Sequence, residues 1–271
     1  MLTFCILLLV LLVLLALTLR CRRGHKKWAV LKKYRYAHRG FHDKPQIPEN
    51  SLPAFRRAIA RGFGAELDVH LLKDGTLAVF HDSDLKRCAA VDGQIEDLTL
   101  TELKQLRLEG TQEQIPTFDE VLALFADATP LIIELKTARG NHMALAKAVC
   151  ERLDSYPGAF CIESFDPFAL IAVKKLRPEI CRGQLSMNYE KEKSGLPWYK
   201  RFIAGNLLLN FLTVPDFIAY KFEDRSSLCM NLCVRVWGAQ EVSWTIRSKE
   251  DLQACEAAGN IPIFECFDPE T

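Results

Sequence analysis

The chain has 271 residues, 49% of them apolar, which suits one domain with a substantial core and is near the size of a single α/β barrel. A net charge of +1 excludes a global electrostatic case for nucleic acid. Ten cysteines include no CxxC pair and no zinc-type spacing. They read as small core residues in a reducing compartment.

Positive charge is local instead. Leu2 to Leu19 is apolar apart from Thr3 and Thr18, and "RCRRGHKKWAVLKK" follows with seven Lys or Arg and no acid before Asp43. Eighteen helical residues span roughly 27 Å, close to a bilayer core. Arg20-Cys21-Arg22-Arg23 offers no small-residue cleavage site. Residues 1–20 are therefore expected to be an uncleaved single-pass transmembrane anchor and 21–33 a basic juxtamembrane segment. Positive-inside logic then puts the domain over 34–271 in the cytoplasm, with the bilayer as a partner.

Beyond the anchor, strand-like runs fall at 34–38, 65–70, 131–136, 160–165, 180–185, 216–221, 242–246 and 261–264. Helical patterns lie at 51–61, 118–126, 142–153, 167–175, 198–211 and 249–258. Eight strands alternating with helices predict a closed parallel barrel. Lys73-Asp74-Gly75 predicts a turn that folds 76–81 back on the second strand. Residues 83–116 fit no βα unit and read as an insertion, with Thr99 or Thr101 capping a short helix. In "PENSLPAF", Asn50 or Ser51 caps a helix with Pro53 in its first turn. The chain closes on "IFECFDPET" without a pattern for an eighth helix, leaving the basic segment 24–33 to cover one end of the barrel.

Barrel chemistry sits at the C-terminal ends of strands. There the sequence places His38 and Arg39 on the first strand, Glu66 and Asp68 on the second, and His81 and Asp82 at the hairpin end. Glu134 and Lys136 end the third strand, and Trp244 the seventh. Alternation points Glu66 and Asp68 one way, and Glu134 and Lys136 likewise. Three converging carboxylates make a hard-oxygen site for Mg²⁺ or Ca²⁺. Arg39 and Lys136 beside it imply an anionic substrate, most simply a phosphate. Two flanking histidines suit a general base and a general acid.

The motifs "AHRG", "PENS", "AELDVHLLKDGTLAVFHD" with "LKR", and "IIELK" resemble the glycerophosphodiester phosphodiesterase family. The resemblance is dense from residue 36 to about 137 and looser through "ESFDP", "PDFIAY" and "SWTIRS". It implies a TIM barrel with an insertion after the second strand. It also implies hydrolysis of glycerophosphodiesters to sn-glycerol 3-phosphate and an alcohol, with a divalent cation. By resemblance Glu66, Asp68 and Glu134 hold the metal, and His38 and His81 are the acid–base pair. Arg39 and Lys136 bind phosphoryl oxygens, and Trp244 walls the pocket. Other readings are a lysophospholipase D acting on lysophospholipids, and an inactive membrane-bound lipid sensor. In the segment 191–213, the plainer reading is a barrel helix packing its apolar stripe on the sheet. The alternative is an interfacial helix that seats the barrel mouth on a bilayer.

Overall fold

A computed structural model describes residues 1–192 and 195–271. Its strands are β1 (Tyr36–Ala37), β2 (Gly64–Leu71), β3 (Leu77–Val79), β4 (Leu131–Leu135), β5 (Phe160–Ser164), β6 (Arg182–Ser186), β7 (Phe217–Lys221), β8 (Gln240–Ile246) and β9 (Ile261–Phe264). Eight of them pair in parallel, and β1 pairs with both β2 and β9, so backbone hydrogen bonds alone close the ring. Closure needs no eighth helix. The ninth strand, β3, pairs antiparallel with β2 through Val69 opposite Val79, as the Lys73-Asp74-Gly75 turn predicts.

Helices α1 (Leu2–Thr18), α2 (Trp28–Leu31) and α3 (Leu52–Ala60) precede β2; α4 (Lys86–Ala89), α5 (Leu100–Leu103) and α6 (Phe118–Phe125) lie between β3 and β4. Then come α7 (His142–Leu153), α8 (Pro167–Leu176), α9 (Trp198–Gly205), α10 (Asn210–Thr213), α11 (Leu228–Arg235) and α12 (Lys249–Ala257). The single helix expected over 198–211 breaks into α9 and α10, and Leu207 between them takes a positive φ of 59°. Helix α11, capped by Ser227, was not legible as a periodic pattern. Residues 83–116 form the expected insertion, a small core of Leu85, Ile95, Leu103, Leu108 and Ile115 over Phe80, with Thr99 capping α5.

Strand alternation sorts two cores. Leu67, Val69, Ile133 and Leu135 face the outer helices. Tyr36, Ile132, Cys161, Phe217 and Val242 fill the barrel. A Cβ at Gly183 would sit 2.1 Å from the Phe217 ring, so that ring occupies the barrel floor only because position 183 has no side chain. Trp28 and Leu31 of α2 complete this inner core, Trp28 standing edge-on to Phe217 at 5.3 Å. The basic segment therefore carries a plug for the N-terminal end of the barrel.

The transmembrane expectation is corrected. Helix α1 has 17 residues and stops at Thr18, and among the described residues no helix is long and apolar enough to cross a membrane. The reason is tertiary: the end of the apolar run belongs to the domain. Leu19 and Cys21 are buried against Ile218, Tyr220 and Cys233, and the Trp237 indole N–H donates to the Ala16 carbonyl at 2.8 Å. Arg22 is anchored on Asp216 and donates to the Pro178 carbonyl at 2.8 Å. Residues Leu2 to Leu14 remain exposed.

Candidate active site

The site is assembled at the C-terminal ends of β1, β2 and β4. Register sets it: Asp68 on β2 lies opposite Glu134 on β4, and Glu134 opposite Glu163 on β5. Glu66, Asp68 and Glu134 are all buried, and one carboxylate oxygen from each lies within 4.8 Å of the others. Burial, together with the charges of Asp68, Glu134 and Glu163, pushes the Glu66 carboxyl well up. Burial raises Glu134 as well. For Asp68 burial acts upward too, but Lys136, His81 and Arg39 outweigh it and hold the group well below the usual carboxylate range.

This arrangement is short of positive charge. Glu66 Oε1 is buried with no hydrogen-bond partner. The Lys136 ammonium bridges Asp68 Oδ1 at 3.0 Å and Glu134 Oε1 at 2.8 Å. Three buried carboxylates, one with an orphaned oxygen, fit a hard divalent cation, because burial of unpaired carboxylates is otherwise costly.

Each histidine is oriented by a carboxylate on its Nδ1. His38 pairs with Glu265, and its Nε2 lies 3.9 Å from Glu66 Oε2. His81 pairs with Asp82 at 2.5 Å, and Asp82 accepts from Arg87 Nε at 2.5 Å. Such pairing leaves the outer nitrogen of each ring for substrate. Glu265 also accepts from Arg247 at 2.8 and 2.6 Å. Burial opposes its charge, but His38, His42 and Arg247 keep its carboxyl far below the usual range. Burial lowers His38 itself.

Arg39 takes a left-handed φ of 55°. Its backbone N–H donates to Glu66 at 3.0 Å, and its guanidinium donates to Glu49 at 2.8 Å. The turn is held by Gly40, where a Cβ would come within 2.9 Å of the Ala54 Cβ at the start of α3. Glu49 is gripped by Arg39, Lys44 and Arg87, a bracing group and no free ligand. Ser51 is the cap of α3, which frees Asn50 (φ 53°) to donate to Asp68 at 2.7 Å. Trp244 stands edge-on to Phe165 at 5.6 Å, one ring behind the cavity wall that Phe165 forms.

Four contributors were missed from sequence. Asn50 is legible only as a cap, and Glu265 lies in "IFECFDPET", outside the motifs that carry the resemblance. Glu163, buried with Oε2 unpartnered, is the glutamate of "ESFDP" and had a visible signal in its apolar strand. His70, given no role, bonds Glu96 at 2.7 Å and the His81 carbonyl at 3.2 Å. A cavity of about 1050 Å³ opens beside the site. His81, Glu134 and Lys136 lie at its polar end, and Phe165, Phe168, Met187, Leu196, Ile203 and Leu209 form its apolar walls.

The family model of the glycerophosphoryl diester phosphodiesterase family matches residues 38–265, which spans every residue of this constellation. The chain belongs to that family. A glycerophosphodiester phosphodiesterase of Caldanaerobacter subterraneus is 32% identical over 252 residues, covering 87% of this chain and 94% of that protein. A phosphodiesterase of Oleispira antarctica, solved in complex with the product sn-glycerol-3-phosphate, superposes with a TM-score of 0.69 at 27% identity, covering 86% of this chain and 92% of that one. A rat lysophospholipase D is 33% identical over 121 residues, 40% of this chain and 37% of that protein. Family membership makes the chain a phosphodiesterase, and the reading as an inert sensor is set aside.

Proposed function

We infer that this phosphodiesterase hydrolyses glycerophosphodiesters to sn-glycerol 3-phosphate and an alcohol, with one divalent cation, Mg²⁺ or Ca²⁺, held by Glu66, Asp68 and Glu134. The observation that carries the reading is the triad of buried carboxylates, one oxygen of each within 4.8 Å of the others, flanked by two carboxylate-oriented histidines. A bound cation would polarise the phosphoryl group and lower the pKa of a nucleophilic hydroxyl. His38 and His81 divide the two proton transfers, one removing a proton from the nucleophile and the other donating one to the leaving alcohol. Lys136 and Arg39 neutralise phosphoryl oxygens. Lys136 then exchanges its carboxylate partners for the substrate. Trp244 supports the pocket wall through Phe165.

The test is release of sn-glycerol 3-phosphate from glycerophosphocholine by the full chain in Mg²⁺, Ca²⁺ or EDTA. Release that needs the metal and falls at least a thousandfold in His38→Ala supports the reading; release unchanged by EDTA overturns it.

A second reading, hydrolysis of lysophospholipids, is favoured by the apolar walls of the cavity, which exceed what a glycerol and a small headgroup need. A kcat/KM that rises with acyl-chain length separates it from the first.

We also infer a membrane location with the catalytic domain on the cytoplasmic face. Support comes from the exposed apolar surface of Leu2 to Leu14, the basic flank after Leu19, and ten cysteines that are all free thiols. Seventeen residues give about 26 Å of apolar helix that a bilayer would bury.

A further inference from the structure

The helix that walls the cavity turns a second face outward. Helix α9 has no buried residue. Trp198 is 70% exposed, Tyr199 47% and Phe202 56%. The plainer expectation for this segment, an apolar stripe packed on the sheet, therefore does not hold for α9. Ile203 and Ala204, on its inner side, line the catalytic cavity. Lys200, exposed at the rim of that cavity, has no ion-pair partner among the described residues, whereas Arg201 is held by Glu190 at 3.0 Å and by the Leu196 carbonyl at 2.7 Å.

We propose that the outer face of α9 is a lipid-docking surface that seats the mouth of the catalytic cavity on an anionic phospholipid bilayer. Three observations select that occupant. Trp, Tyr and Phe beside the unpaired Lys200 suit a helix lying at headgroup depth, with the rings in the boundary layer and the ammonium on a phosphate. The rings offer on the order of 350 Å² together, well under the roughly 800 Å² per partner of a stable protein interface. The same helix forms the wall of the apolar cavity, so docking brings the cavity and a lipid-borne phosphodiester to one place. This last step rests on the function proposed above; the docking itself does not.

The test uses the full chain on vesicles of phosphatidylcholine and phosphatidylglycerol, plain or brominated in the acyl chains. Emission lost between the wild type and Trp198→Phe isolates Trp198 from the other tryptophans. Quenching of that difference signal by brominated lipid is expected, and equal signals in the two vesicle types would overturn the proposal. In parallel, W198S/Y199S/F202S should keep turnover of glycerophosphocholine in solution within twofold of wild type. Its turnover of a lysophospholipid carried in vesicles should fall tenfold or more, and unchanged vesicle turnover overturns the proposal. A wild type that turns over neither substrate would defeat the proposed function, while the quenching still decides the docking. An unquenched Trp198 in a chain whose triple variant dissociates from dimer to monomer would reassign the face to a second copy.

Discussion

At the scale of single residues, the site gathers more buried carboxylates than Lys136 and Arg39 can pair. Glu66 and Glu134 have raised carboxyl pKa values in the folded chain, so each favours its protonated form there. A group raised on folding contributes stability below its folded pKa and loses that contribution as pH rises past it. A cation must displace those protons, so its binding strengthens with pH. The rise in Tm produced by saturating Mg²⁺ or Ca²⁺ is therefore expected to grow from pH 5 to pH 8 in a calorimetric series. A rise that shrinks over that range would refute the assignment. At a hundredfold excess over Kd the stabilisation is about 2.7 kcal/mol. Replacing Glu66 by Gln should remove the metal-induced rise while leaving the metal-free chain about as stable, because a neutral amide takes the place of the protonated carboxyl that burial favours there.

Glu265 belongs to the same scale. It holds His38 Nδ1 and is itself held by Arg247. In Glu265→Gln the ring loses its charged partner, and kcat should drop roughly a hundredfold, within the range of a general acid or base. KM and the metal-induced Tm rise should stay near wild type, which separates a positioning role from damage to the fold. His38 and His81 stand out as candidates from residue type and motif spacing. Glu265 does not, because only barrel closure brings the end of β9 beside the end of β1, 227 positions apart in sequence.

At the scale of elements, small helices carry large duties. The Ser51 cap of α3 holds the turn that aims Asn50 at Asp68. Ser51→Ala should cost about 1 kcal/mol of stability, read as a lower urea midpoint. Helix α2 is a four-residue helix whose Trp28 closes the barrel floor on Phe217. Trp28→Ala should cost about 3–5 kcal/mol. The turnover of the folded fraction should be unchanged, because the plug lies at the end opposite the carboxylates. A selective loss of kcat with the urea midpoint preserved would contradict that placement. Periodicity read the strands and the longer helices well. It shows neither α2 nor α11, since four to eight residues carry too few turns for a period to stand out; the basic segment 24–33 is legible as an end cover by other signs than period.

At the scale of the whole molecule, the N-terminal apolar run divides between two environments. Its apolar side chains from Leu2 to Leu14 face outward, while Leu19 and Cys21 are committed to the barrel wall. Removal of residues 2–13 should abolish flotation with vesicles at high salt, where the basic flank is screened. It should leave hydrolysis of a water-soluble glycerophosphodiester within twofold. Retained flotation would move the main lipid contact to α9.

Local pattern suffices for the class of fold and for a candidate set of site residues. Strand-length apolar runs alternating with helical ones predict a barrel, and two acids at i and i+2 must share a face because a strand repeats every two residues. Which distant groups meet, and where the apolar surface goes, depends on the folded chain. Glu265 reaching His38, Glu163 beside Glu134, Trp28 plugging the floor and Leu19 drawn into the wall all depend on contacts between segments far apart in the chain. Such contacts are set by ring closure and packing, and no local period or motif encodes them.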